Sequence, residues 1–301
     1  MLAQLIKLED YVSRYEHDIL QYPGQFIRLK TRRWEALKRQ WRKYQYSESE
    51  EEENFEEWLP ERKKTIFSFF RKKEVHFQIP QNPLKPKPLY ERAETIEELR
   101  QLFLDELFRF QLRWASSSKQ YKSYMDRHYM KDSRLRFLLE QLPDQYLVFY
   151  NPVFIIKKAP IELDIIILSP VEVLCVRFIE GIEFSVFEGN SGRFWREVDS
   201  DYERKLLSPL ISLNRTEKVI RSILKEEKTE LFPIRKILVS ERSFIDFSNA
   251  PTSLKMVDRR NFKEWHTQLI NQPSPLKLQQ LKVARAMLDY SKTVSVKKQG
   301  D

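Results

Sequence analysis

Residues 161–168 read IELDIIIL, and residues 172–178 read EVLCVRF. Both segments are short apolar runs, and Ser169 and Pro170 lie between them. Short apolar runs bounded by turn-forming residues are typical of β-strands. The two segments therefore predict two adjacent strands of one sheet.

The surrounding sequence extends this pattern. Further strand-like runs lie at 146–150, 153–157, 182–187, 193–198 and 235–240, and helical patterns lie at 133–142, 209–226, 260–270 and 275–292. Strands followed by a helix and then by another strand indicate a mixed α/β domain whose sheet is covered by helices. We assign residues 132–292 to this domain and expect residues 293–301 to form a frayed tail.

The N-terminal part of the chain predicts helices. Apolar residues from Leu5 to Tyr22 and from Trp34 to Tyr44 recur every three or four positions, with Pro23-Gly24 between them. This spacing predicts a helical hairpin or short coiled coil over 1–46. An acidic and proline-rich linker is expected over 47–93. A helical region follows over 94–131, where Thr95 and Glu98 form a capping box.

Composition narrows the classes of function. The chain has 301 residues, 20 Phe and 13 Tyr, so wholesale disorder is excluded. With 5 Gly it has no glycine-rich phosphate loop, and the single Cys175 rules out internal disulfides. We expect no signal peptide and no membrane-spanning run, because the first residues are not a long apolar stretch, and therefore expect a cytoplasmic protein. The net charge of +9 permits DNA or RNA as a partner.

Two carboxylates are the candidates for a metal-binding or catalytic role. Strand alternation predicts that Glu162 and Asp164 share one face of an otherwise apolar strand. Such a pair is suited to Mg²⁺, which activates water and stabilises the transition state of phosphodiester hydrolysis. The alternative is structural: Glu162 is solvated and Asp164 is held by backbone N–H groups.

From about Leu135 to Glu264 the chain resembles NERD, the nuclease-related domain of bacterial proteins. The matching segments, in order, are LLEQLPDQYLVFYNP, APIELDIIILSP, VLCVRFIEG, FEGNSGRFW and SPLISLNRTEKVI. The resemblance implies a restriction-endonuclease-like fold and descent from a metal-dependent nuclease. It covers a little under half of the chain and says nothing about residues 1–130.

The family's active-site pattern is only partly present. The family's strand aspartate matches Asp164, whereas its Glu and Lys positions are occupied by Arg177 and Ile179. A guanidinium beside Asp164 favours an ion pair where the metal would sit, and Ile179 cannot stabilise phosphate charge. The resemblance thus implies a degenerate site that holds no metal and needs no cofactor. Glu180 and Glu183 stay open as relocated ligands.

Two other groups are candidate nucleic-acid contacts. The second N-terminal helix has a basic face made of Arg32, Arg33, Lys38, Arg39, Arg42 and Lys43. An aromatic group, Phe184, Phe187, Phe194 and Trp195, is suited either to stacking on bases or to packing in the sheet.

Three functions follow from these observations. The first is a non-catalytic nuclease-related module that binds nucleic acid or acts as a scaffold. The second is a Mg²⁺-dependent nuclease with relocated residues. The third is an adaptor that binds a protein partner through the N-terminal helices.

Overall fold

The computed structural model describes residues 2–50, 87–229, 232–272 and 274–298. It divides into two units, one of Met1–Lys30 with Leu104–Asp301 and the other of Thr31–Phe103. Most of the predicted linker, residues 51–86, lies outside the described residues. No helix in the described ranges is long and apolar enough to cross a membrane.

Six α-helices and fourteen strands are present within these ranges. The helices are α1 (Tyr22–Glu50), α2 (Ile96–Trp114), α3 (Ser133–Gln141), α4 (Leu210–Glu226), α5 (Phe262–Ile270) and α6 (Leu278–Asp289). The strands are β1 (Gln4–Leu8), β2 (Tyr121–Lys122), β3 (Leu147–Tyr150), β4 (Val153–Ile156), β5 (Ala159–Glu162), β6 (Ile165–Leu168), β7 (Val173–Phe178), β8 (Val186–Glu188), β9 (Phe194–Asp199), β10 (Tyr202–Leu207), β11 (Ile234–Val239), β12 (Phe244–Asp246), β13 (Leu254–Val257) and β14 (Val296–Lys297).

A six-stranded mixed sheet forms the centre of the first unit. Its order is β1-β3-β6-β7-β11-β13, and β6 pairs antiparallel with both of its neighbours while the other pairs are parallel. The C-terminal ends of β1, β3 and β7 therefore meet the N-terminal end of β6 at one edge of the sheet. A separate sheet has the order β10-β9-β8-β12, and β4 and β5 form a hairpin of their own.

Both faces of the large sheet are buried, which explains the continuous apolar runs of β6 and β7. Leu174 and Val176 point into a core shared with α3, α5 and the C-terminal part of α2. The opposite face carries Cys175, which is fully buried, and α4 packs on this face against β7 and β11. The predicted fold class, a mixed α/β sheet flanked by helices with a helical region in the N-terminal part, is confirmed.

The prediction of a helix over residues 1–22 is wrong. Gln4–Leu8 forms β1, which pairs in parallel with β3 at the edge of the sheet. A short apolar run fits a buried strand and a buried helix equally well, so spacing alone could not separate them. Pro23 lies in the first turn of α1, where a missing N–H costs nothing, so Pro23-Gly24 begins the helix instead of breaking it.

Two further predictions of local structure are wrong. Residues 161–168 are not one strand, because the chain leaves the β4–β5 hairpin at Glu162 and enters the large sheet at Ile165. The tail is not frayed over 293–298, since β14 pairs antiparallel with β2. That pairing also places a strand at Tyr121–Lys122, inside the region 94–131 that is predicted to be helical. Residues 299–301 lie outside the described ranges.

In the second unit, the aromatic residues of α1 pack within the chain. Trp34 stacks on Phe103 with 5.3 Å between the ring centroids. Trp41 donates its indole N–H to the carbonyl oxygen of Ala93 at 2.8 Å, and Tyr44 contacts Tyr90. The apolar residues of α1 predicted to form a coiled coil therefore pack against other residues of the second unit.

Candidate functional site

A cavity of about 380 Å³ opens at the edge of the large sheet where β1, β3 and β7 end. In parallel sheets this edge is the usual place for a ligand site, because several strands release their loops there together. The lining residues are Glu9, Asp10, Asn151, Val153, Glu162, Leu163, Asp164, Arg177 and Arg215. Glu162 and Asp164 therefore share the cavity, although they do not share a strand.

The predicted ion pair between Asp164 and Arg177 is confirmed. Arg177 donates from Nη1 to Asp164 Oδ1 at 2.9 Å. The Asp164 side chain is only 3% exposed, whereas that of Arg177 is 48% exposed. Thr216 on α4 closes the other side, because its hydroxyl lies 3.4 Å from Asp164 Oδ2 and accepts the Asp164 N–H at 3.0 Å. The carboxylate is thereby held from two elements.

Two residues of the cavity wall adopt left-handed backbone conformations. Glu9 has φ 44° and Asn151 has φ 48°. Such conformations cost free energy for residues other than glycine and occur preferentially at functional sites. The Glu9 carboxylate accepts a hydrogen bond from the hydroxyl of Tyr129. Burial, followed by this carboxylate, raises the pKa of Tyr129 well above its usual range, so the hydroxyl stays protonated.

The remaining charges of the cavity differ in their partners. Asp10 pairs with Lys292 at 2.9 Å. Glu162 and Arg215 are exposed, and neither has an ion-pair partner within the described part of the chain. The lining thus combines four carboxylates with two guanidiniums. It is strongly polar but has no single sign of charge.

These carboxylates do not form a metal centre. Among the described residues, no three Asp, Glu, His or Cys side chains are arranged as ligands of one ion. A guanidinium already occupies one oxygen of Asp164. The residues present therefore do not fit a Mg²⁺ ion bound at Asp164.

Other residues predicted for the site lie elsewhere. Ile179 follows the end of β7, bonds through its N–H to the Val239 carbonyl oxygen, and does not line the cavity. Glu180 pairs with Arg134, and Glu183 pairs with Arg259. None of the three contributes to the cavity.

Residues 128–240 match the family model of NERD, the nuclease-related domain. The resemblance drawn from the sequence motifs is confirmed over these residues, which run from the segment before α3 through β11 and include Asp164, Arg177 and Arg215.

The chain is also similar to one curated protein. It is 35% identical over 116 residues to a protein of Geobacillus stearothermophilus named RNA 2',3'-cyclic phosphodiesterase, and the match covers 36% of each chain. The chain thus matches about a third of that relative's length. No solved structure matches the chain.

The four residues of the aromatic group form two pairs with different exposure. Phe187 and Trp195 are fully buried and lie on strands of the four-stranded sheet. Phe184 and Phe194 are exposed, and each has a cation over its ring: Arg259 at 4.0 Å and Lys205 at 4.3 Å. Packing is the role of the buried pair.

The basic residues of α1 are placed in the second unit. Arg32, Arg33, Arg39, Arg42 and Lys43 are exposed on the helix, and Lys38 is half-buried between Glu35 and the ring of Trp34. Their contact with nucleic acid stays a prediction.

Four polar residues of the cavity are not predicted by the sequence analysis: Glu9, Asp10, Asn151 and Arg215. Glu9 and Asp10 directly follow β1, and Asn151 follows β3. The sequence signal that can identify such residues is a polar side chain directly after a strand. Glu9 and Asp10 do not show this signal, because the spacing of the apolar residues before them predicts a helix.

Proposed function

We propose that this protein is a nuclease-related module that binds nucleic acid and does not cleave it through a metal at Asp164. One observation carries the proposal: the guanidinium of Arg177 bonds to Asp164 in the cavity of the nuclease-related domain. The family's catalytic pattern would require a metal-binding carboxylate at the Arg177 position.

Electrostatics supports the loss of metal chemistry. A divalent ion at Asp164 would lie within a few ångströms of a permanent positive charge, and the repulsion between them is strong in a half-buried cavity. Displacing Arg177 would also remove the partner of a carboxylate that is 3% exposed. Both effects favour the ion pair over the metal complex.

Exposed basic groups support the binding part of the proposal. Arg215 lies at the cavity without an ion-pair partner in the described residues, and the chain as a whole carries a net charge of +9. Guanidinium groups bind phosphate oxygens in a bidentate manner. Arg215 is therefore placed to hold the backbone of a nucleic acid at the cavity.

The name of the Geobacillus relative suggests hydrolysis of a cyclic phosphodiester, but the cavity does not support this activity better than nucleic-acid binding. Hydrolysis of a cyclic phosphodiester without a metal needs groups that exchange protons near neutral pH, and histidine is the usual one. None of the described residues that line the cavity is a histidine.

The experiment measures binding and cleavage on the same substrates. Labelled duplex DNA, single-stranded DNA and RNA are titrated with the full chain at low and moderate salt, and then incubated with Mg²⁺ or Mn²⁺. We expect binding that weakens with salt and no cleavage. The absence of binding to every substrate at low salt would contradict the proposal and leave the scaffold or adaptor function.

A Mg²⁺-dependent nuclease is the second candidate, because Glu162 is exposed in the same cavity as Asp164 and has no ion-pair partner among the described residues. Its signature is metal-dependent cleavage that both Asp164→Asn and Glu162→Gln abolish. Cleavage that survives both substitutions would come from a contaminating nuclease.

A further inference from the structure

The β4–β5 hairpin has an unusual sequence at its tip. Ile156 pairs with Ala159, so Lys157 and Lys158 are the whole of a two-residue loop. Both adopt positive φ, 49° for Lys157 and 70° for Lys158. Positive φ at both positions defines the type I′ turn, for which Asn-Gly is the preferred pair. Lysine is disfavoured at either position because its Cβ crowds the backbone there.

The hairpin is firmly attached along β4. Phe154 is fully buried, Ile155 donates its N–H to the Tyr290 carbonyl oxygen at 2.8 Å, and the Lys292 N–H bonds to the Val153 carbonyl oxygen at 2.7 Å. The exposed tip is therefore the end of a supported ribbon. The disfavoured turn is held in place by the strands on either side of it.

The base of the hairpin belongs to the cavity. Val153 and Glu162 form the first cross-strand pair of the hairpin and both line the cavity wall. Lys157 lies four residue steps along the strand from Val153, a distance of roughly 14 Å at the usual rise of a strand. The two ammonium groups thus lie on the same ribbon as the cavity wall, at its far end.

The charge at the tip is not balanced by any carboxylate in the described part of the chain. Neither Lys157 nor Lys158 has a carboxylate partner within the described residues, and their neighbours Ala159 and Pro160 are exposed and uncharged. Phosphate groups complement two adjacent ammoniums on a supported ribbon, and a nucleic-acid backbone presents them in closely spaced rows. A two-stranded ribbon also has the width that the major groove of B-DNA admits, whereas the major groove of A-form RNA is too narrow.

We propose that the Lys157–Lys158 tip is a duplex-DNA contact that holds the phosphate backbone at the far end of the hairpin whose base lines the cavity. This inference rests on the proposed nucleic-acid function and adds to it a position and a class of nucleic acid. It also accounts for lysines at two turn positions that favour other residues.

Two double variants separate charge from turn geometry. Lys157→Asn with Lys158→Gly removes both charges and installs the favoured turn, while Lys157→Gln with Lys158→Gln removes both charges and keeps the disfavoured one. We expect both to bind duplex DNA roughly 5- to 50-fold more weakly near 0.1 M salt, with a log–log salt slope smaller by about two. Only the Asn-Gly variant should melt higher, by about 3–6 °C.

The control removes the same charge elsewhere in the unit. Lys225→Gln with Lys263→Gln takes two exposed lysines from α4 and α5 and should leave duplex binding within about twofold of wild type. Single-stranded DNA and duplex RNA are titrated in parallel, and the hairpin variants should affect them less than duplex DNA.

The outcomes distinguish the two proposals. If the wild-type chain binds no nucleic acid at low salt, the proposed function fails. If wild type binds duplex DNA but both hairpin variants bind like the control, the proposed function stands and the hairpin contact is overturned. An equal loss on single strands or RNA would overturn the choice of duplex DNA.

Discussion

Two regions of the molecule place a buried carboxylate against a half-exposed arginine. At the cavity, Asp164 is 3% exposed and Arg177 is 48% exposed. In the small sheet, Glu197 on β9 is 1% exposed and its partner Arg204 on β10 is 47% exposed. By burial and charge the two pairs are nearly the same.

Their surroundings differ. Glu197 Oε1 accepts hydrogen bonds from the Ile182 N–H at 2.7 Å and the Ser185 hydroxyl at 2.9 Å, and a Cβ added to Gly181 would approach it to 2.4 Å. Its role is to fix the turn after β7. Asp164 instead borders a cavity with three other carboxylates. A buried carboxylate–arginine pair therefore does not identify a functional site by itself. The cavity beside Asp164 and Arg177 is what marks this pair as the candidate site.

Removing the small-sheet carboxylate should give the largest effect. Glu197→Ala leaves the Ile182 N–H and the buried Ser185 hydroxyl without this acceptor, at a cost of about 3–5 kcal/mol in unfolding free energy. We expect the Tm to fall by roughly 6–15 °C, measured by circular dichroism. The control is Glu203→Ala on the adjacent strand, where the carboxylate is 58% exposed. Equal losses from the two substitutions would show that Glu197 does not organise the turn.

Removing the arginines should give smaller effects that separate the two regions. Arg177→Ala and Arg204→Ala each leave the carboxylate at least one other hydrogen bond and let water reach it where the half-exposed guanidinium stood, so each should cost about 1–2 kcal/mol. Affinity for nucleic acid should fall several-fold for Arg177→Ala and stay unchanged for Arg204→Ala. Fluorescence anisotropy at constant salt measures this difference. A loss of affinity in both variants would make the two pairs functionally alike.

The sequence allowed the first of these pairs to be predicted because its partners are local. Asp164 and Arg177 lie on either side of a short connection between antiparallel strands, so apolar runs and family motifs together were enough to bring them opposite each other. The alternation argument for Glu162 failed, since it assumed one strand where the chain changes sheet. Glu162 reaches the cavity through the β4–β5 hairpin instead.

The parts that were missed depend on distant contacts. Glu9 and Asp10 join the site because β1 pairs with β3, whose first pair is Gln4 with Leu147. No local pattern encodes that pairing, and a buried edge strand has the same apolar content as a buried helix. Backbone strain is equally hidden: nothing in the residue types at Glu9, Lys157 or Lys158 predicts positive φ, because lysine and glutamate are uncommon there.

A third carboxylate–arginine pair extends the comparison to pH. Asp258 is 4% exposed and Arg260 is 64% exposed. Asp258 accepts hydrogen bonds from the Ile245 N–H at 3.0 Å, the Arg260 N–H at 2.9 Å and Arg260 Nε. Burial on its own would raise the pKa of Asp258, but the bonds from Arg260 and the two backbone N–H groups outweigh it and lower the pKa below its ordinary value.

The smallest expected effect is therefore a change in acid sensitivity. Because the pKa of Asp258 is lower in the folded state than in the unfolded state, the unfolded state binds more protons as the pH falls, and stability is lost from the ordinary value near 3.8 downward. Asp258→Asn should be less stable than wild type at pH 7, and the gap should narrow as the pH falls from about 5 to below the ordinary value of 3.8. Urea unfolding at fixed pH values measures both curves, with the exposed Asp201→Asn as the control for loss of a carboxylate. A gap that stays constant over this range would mean that the Arg260 contacts do not favour the charged form of Asp258, and that this pair stabilises the fold by packing alone.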